Sequence, residues 1–139
     1  MPTYKPKMYK KKPKITKSIF PIDLTAVNSS ANYSYFVAKY PCTLGSPQLT
    51  FSSAVSFYYA LLVVREGQAT PVLNINDQTS PFIAPEHDVL LQGVWVPGTT
   101  LIQTKTKRNM QDGDELVLLI QTPGTSDVVN GTLQFFVTI

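Results

Sequence analysis

Two residue types with ready chemistry gather at the start of the chain. Lys5, Lys7, Lys10, Lys11, Lys12, Lys14 and Lys17 all fall within the first seventeen residues, which contain no acid. Tyr4 and Tyr9 stand among them. This segment carries a formal +7, while residues 18–139 hold five basic and nine acidic groups, hence −4. Lysines in such density neutralise phosphates and release counterions, so their binding is salt-dependent and indifferent to base sequence. Tyrosine rings between them can stack on unpaired bases, worth about 1–3 kcal/mol per base. The plainer reading is a solvated tail that aids solubility, but strict segregation of positive arm from negative body favours capture of a polyanion. KKKPK (Lys10, Lys11, Lys12, Pro13 and Lys14) also fits the loose pattern of a nuclear localisation signal. Lys105, Lys107 and Arg108 form a smaller basic group. They read as further phosphate contacts or as charges that keep a strand edge from aggregating.

Catalytic chemistry finds few residues to use. His87 is the only histidine and Cys42 the only cysteine. A zinc site needs three or four converging ligands, which this supply does not offer, so no metal is expected. Neither a nucleophile–histidine–acid order nor a glycine-rich phosphate loop is present, and no cofactor is implied. His87 reads as an exposed loop residue and Cys42 as a loop cysteine. Asp112-Gly113-Asp114 lacks the further oxygen ligands of a calcium loop. It reads as a turn, with glycine supplying positive φ and aspartate capping backbone donors. Trp95, in GVWVPG, reads as a core or subunit-contact anchor. The body is not expected to be an enzyme.

What must position these groups is a β-domain. The lone cysteine excludes an internal disulfide and points to a reducing compartment. Apolar runs such as ALLVV are too short to cross a bilayer, so no membrane insertion is expected, and no secretory h-region opens the chain. A soluble intracellular product follows from these signs. Residues 1–17, with three prolines among mutually repelling lysines, predict a disordered arm of at most roughly 55–60 Å reach. Residues 18–139 form one domain of short apolar alternations broken by Gly, Pro, Asn and Asp. Strands are predicted at 18–27, 31–40, 53–67, 72–76, 88–96, 99–108, 113–122 and 130–139, with Pro21 marking a bulge or sheet edge. PCTLGSP (41–47) reads as a loop by composition, and a helical turn near Gln48–Ser53 stays open. Val55, Phe57, Tyr59, Leu61 and Val63 share one face. The last strand runs flush to Ile139, which suits a chain terminus buried in a sheet.

Eight short strands in this length predict an all-β sandwich or small barrel; in a jelly roll, strands conventionally lettered B to I form two four-stranded antiparallel sheets ordered B-I-D-G and C-H-E-F. NSS, GQATP and PG read as short turns at one end, and the C–D and E–F connections as longer ones at the other. That arrangement makes a wedge suited to packing about an axis.

Residues 80–120 then show a Pro-acidic-x-x-Val segment (Pro85, Glu86 and Val89) feeding a strand that reaches Gly93. A basic strand follows, and Lys107-Arg108-Asn109-Met110-x-x-Gly113-Asp114 leads into the next hydrophobic run. With YYALLVVREG (58–67) and the lysine-rich start, this resembles capsid proteins of small circular single-stranded DNA viruses that encode a replication initiator, over about two thirds of the chain. The resemblance implies a single jelly-roll capsid domain that assembles about 60 copies into an icosahedral (T=1) shell around single-stranded DNA. In such a shell the sheet containing strand G faces inward. About 60 arms would bring on the order of 400 positive charges inside. The implied partners are the chain itself, its DNA genome, host nuclear import factors and a surface receptor, in the virion and the host nucleus. A non-enzymatic nucleic-acid-binding barrel with a basic tail is the second class the sequence allows. A ligand-binding or signalling jelly roll is a third, which leaves the lysine arm without a purpose.

Overall fold

Strands dominate because the chain alternates β-branched, aromatic and polar residues and places Gly and Pro between the runs. The computed structural model describes residues 14–27, 31–71, 87–122 and 127–139. Its strands are β1 (Ile15–Val27), β2 (Ala31–Val37), β3 (Cys42–Ser52), β4 (Phe57–Val64), β5 (Asp88–Trp95), β6 (Ile102–Gln103), β7 (Lys107–Met110), β8 (Glu115–Gln121) and β9 (Asp127–Thr138). One sheet runs β1-β9-β3-β6, with β7 also on β3; the other runs β2-β8-β4-β5. All pairings are antiparallel. Since β6 and β7 lie along the same edge of β3, they are two stretches of strand G. The layers are therefore B-I-D-G and C-H-E-F, and the fold is the all-β jelly roll anticipated from the sequence.

Strand D is where the sequence misleads. The expected loop 41–47 is the first half of β3, and the open helical turn at 48–53 is its second half. The glycine and proline that read as a turn belong to a β-bulge. Pairing with β9 jumps from Gly45↔Phe136 to Gln48↔Gln134, so one extra residue sits on β3, and Ser46 there has φ 50°. A bulge tolerates proline because its N–H is not needed by the ladder. The run at 53–67 accordingly divides into a connection (53–56) and strand E, β4. GQATP lies in the long 65–87 connection, at the end opposite to that expected. VLNIN (72–76) and Pro85 and Glu86 fall outside the described residues.

Between the sheets, Phe57, Tyr59, Leu61 and Val63 of β4 face Leu44, Leu49 and Phe51 of β3 and Leu133, Phe135 and Val137 of β9 in one buried cluster. Val55 lies before β4 and is only half-buried. Phe51, Phe57, Tyr59 and Trp95 form one aromatic group, with Trp95 stacked on Phe57 at 5.1 Å between centroids. Phe20, Tyr35, Phe36 and Phe135 form another. On the outer side of the second sheet, Ala60, Leu62, Val64, Val117 and Leu119 are also buried. Strand E is thus covered on both faces, which is why its sequence is a continuous apolar run. Pro21 lies on β1, an edge strand, as its missing donor requires.

Candidate nucleic-acid interface

Strand periodicity decides which groups the first sheet presents outward. Along β1, Ile22 and Leu24 are buried while Ile15, Lys17, Ile19, Pro21 and Asp23 are exposed. Antiparallel register lines up the outward residues of neighbouring strands into rows across the sheet. The first row is Ile15–Thr138–Thr43–Asn109. Next comes Lys17–Phe136–Gly45–Lys107, by the same pairings. A third is Ile19–Gln134–Gln48–Gln103. None of these three rows contains an acid; Asp23 lies two rows further on, opposite Asn130. Beside the exposed apolar Ile15 and Ile19 the face carries amides and hydroxyls, with Thr43 Oγ1 donating to Asn109 Oδ1 at 3.1 Å and the Thr50 and Thr132 hydroxyls 2.5 Å apart.

The chain's basic segment enters this face at its root. Lys14 is exposed immediately before β1, and its carbonyl accepts the Ile139 amide at 3.0 Å. β1 begins at Ile15, so Lys17, grouped with the arm by composition, stands on a strand. Lys5, Lys7, Lys10, Lys11, Lys12, Tyr4, Tyr9 and Pro13 lie outside the described residues. Lys105 and Lys107 are exposed on the far edge. Arg108 is not: strand phase turns it inward, where Nε donates to Asp88 Oδ1 at 2.6 Å. Lys105 and Lys107 are therefore available to phosphate, whereas Arg108 is committed to a structural ion pair. Ile139, expected to be buried in the sheet, follows the end of β9 at Thr138 and is 53% exposed.

That ion pair belongs to a cluster at the same end of the sandwich, across the sheet from the arm's root. Arg65, at the end of β4, donates through Nη2 to Asp88 at the start of β5, through Nη1 to Asp114 Oδ2 at 2.7 Å, and through Nη1 to the Asn109 carbonyl at 2.7 Å. Asp114 also accepts the amides of Gln111 and Glu66 at 2.8 and 3.0 Å. Burial alone would raise the Asp114 carboxyl; the Gln111 amide, the Arg65 guanidinium and the Glu66 amide overcome this and hold it below the usual range. Two cations and two anions thus clamp the base of the 65–87 connection to strands G and H. The expected turn is present, with Gly113 at φ 91°. What the sequence missed is that Asp114 caps residues from two elements at once.

Cys42, expected in a loop, opens β3 and is buried. Burial, and then the Asp114 charge, push its thiol up. His87 is half-buried, with Nδ1 3.4 Å from Gln68 Nε2. Trp95 is a core residue at 3% exposure. Two further residues of the interface, Phe136 and Gly45, are not singled out by the sequence. A signal exists in QFFVT: in a strand with only one face in the core, one of two consecutive phenylalanines must point outward, and Phe135 takes the core.

The same fold occurs in a virus particle. The chain aligns with a chain in the structure of infectious bursal disease virus, Gx strain, at TM-score 0.54 and 11% identity, covering 100% of this chain and 37% of that one. A chain from the Gt strain aligns at TM-score 0.48 and 13% identity over the same shares. This protein therefore spans little more than a third of the length of those chains. No family model matches the sequence. At such identity the likeness is one of architecture: a jelly-roll sandwich shared with a chain of a viral structure.

Proposed function

We propose that the chain is a capsid subunit that assembles with copies of itself into a small icosahedral shell and packages single-stranded DNA through its lysine-rich arm. The observation that carries this reading is the division of surfaces. The arm's root opens onto three outward rows of the B-I-D-G sheet that hold lysines, amides and hydroxyls and no acid, with Ile15 and Ile19 at their β1 ends. Exposed Val94, Val96, Leu101 and Val128 lie toward the opposite end of the sandwich, where β5 ends and β9 begins. Apolar side chains left on such an end suit contacts between copies, and the polar face suits cargo. The jelly roll shared with a chain of a viral structure supports the assembly role. The small circular DNA viruses that the sequence resembles supply the finer reading of a shell of about 60 subunits. KKKPK then serves nuclear import before assembly, and the virion and host nucleus are the places of action.

Sedimentation and negative-stain microscopy test the proposal together. About 60 copies of a 15.4 kDa chain make a particle of roughly 0.9 MDa, visible as spheres. A nucleic-acid-binding module acting alone would stay below about 100 kDa. Material found only in that lower range, with no spheres at moderate salt, would overturn the shell.

A further inference from the structure

At the centre of the outward rows lies a recess that neither shell packing nor the arm explains. A cavity of about 550 Å³ is lined by Ile15, Thr43, Gly45, Ser46, Lys107 and Phe136, with Thr138 at its margin. A second, of about 470 Å³, adjoins it through Ser46 and Phe136 and reaches Gln48, Gln103 and Lys105. Volumes of this order accept small organic ligands. Two features of β3 create the space. Gly45 has no side chain opposite Phe136, and a Cβ there would already meet Lys107 Cγ at 3.4 Å. The bulge at Ser46 then turns the backbone aside.

The row through this recess reads lysine, aromatic, glycine, lysine: Lys17, Phe136, Gly45 and Lys107. Three strand spacings separate the two lysines, about 14 Å. An aromatic ring beside a gap, with a cation on each side and amides and hydroxyls above and below, has the elements of a single-stranded nucleic-acid platform: stacking for the base and ammonium groups for the flanking phosphates. A lysine arm, from this chain or a neighbour, is repelled by the same cations. A duplex keeps its base faces inside the stack, so only an unpaired base can enter.

From this we infer that the recess seats one unpaired nucleobase on Phe136, with Lys17 and with Lys107 or Lys105 holding the adjoining phosphates. The inference rests on the nucleic-acid reading above but concerns a separate place on the chain. Photo-crosslinking of the full-length protein to a 5-iododeoxyuridine oligonucleotide, with peptide mapping, tests it directly. The expected adduct lies on Phe136. Phe136→Leu, which keeps an apolar side chain without a π-face, should lower affinity for oligo-dT about fivefold or more and leave duplex of equal length unchanged. Phe136→Tyr should retain both adduct and affinity. Oligo-U in place of oligo-dT gives the same outcome if the platform is indifferent to sugar, and a loss confined to oligo-dT assigns it to DNA; each outcome supports the recess. Adducts confined to residues 1–13, with Phe136→Leu binding as the parent does, would overturn the recess while leaving the arm's role intact. No oligonucleotide binding by the full chain at low salt would overturn both.

Discussion

Asp114 shows how much one carboxylate can hold. Three donors converge on its two oxygens: the Gln111 amide and Arg65 on Oδ2, and the Glu66 amide on Oδ1. Its carboxyl is held below the usual range, so the folded state favours the charged form more than the unfolded state does. The resulting stabilisation is complete above the ordinary carboxylate range and disappears as pH falls through the lowered folded value. Asp114→Asn offers a single acceptor where two are used and places an amide donor against another donor. A loss of about 2–4 kcal/mol near neutral pH is expected, with a shallower acid limb than the parent in urea melts from about pH 7 to 2. Parallel acid limbs in the two proteins would contradict this account. Part of this residue is legible in the sequence. Asp-Gly-Asp before a hydrophobic run announces a capped turn, and Gly113 has the positive φ expected of it. The partners are not legible, because Arg65 is 49 residues away and only the fold brings it there. Arg108 is misread for a related reason: alternation says that it and Lys107 point to opposite sides, but not that Asp88 waits on one of them.

Among the strands, β9 is an inner one, lying between β1 and β3 and pairing with both. Its Gly131 has ordinary φ, yet an added Cβ would overlap the Thr50 carbonyl of β3. The neighbour is backbone and cannot rotate away, so Gly131→Ala should cost about 2 kcal/mol or more. Gly67, at φ 80° with open space around it, provides the control, and its alanine variant should cost about 1 kcal/mol. Thermal melts of both variants against the parent check the order; equal losses would mean that the β3–β9 approach is looser than described. Element by element, alternation and turn residues announce strands B, C, F, G, H and I. They fail at D because Gly45, Ser46 and Pro47 send the local signal of a turn, and a bulge inside a paired strand uses the same residues for a different purpose. The error then propagates, since the apolar run after it reads as D when it is E. Rows across a sheet are invisible until register is known, so Phe136 cannot be seen beside Lys17.

Taken as a whole, the molecule separates charge along its length. Residues 1–13 contain five of the seven arm lysines, and β1 starts only at Ile15. A deletion meant to isolate the arm should therefore stop at Pro13, since Ile15, Thr16 and Lys17 pair with Thr138, Val137 and Phe136. Removing residues 1–13 should abolish copurification of nucleic acid. It should also flatten the dependence of log K on log salt for single strands by up to about 3–4, at about 0.7 for each phosphate no longer neutralised. An unchanged slope would assign binding to the body alone. Architecture at this scale follows from strand count and charge segregation, while the ion-pair clamp on the 65–87 connection emerges only in three dimensions.

The buried indole of Trp95 has a practical consequence. It is the chain's only tryptophan, packed on Phe57 and Phe51, and its Nε1 has no acceptor among the described residues. The folded protein consequently carries a single built-in indole fluorophore in a dry setting, one residue before the turn that holds Pro97 and Gly98. Emission colour will report when water first reaches that corner, without any label being attached.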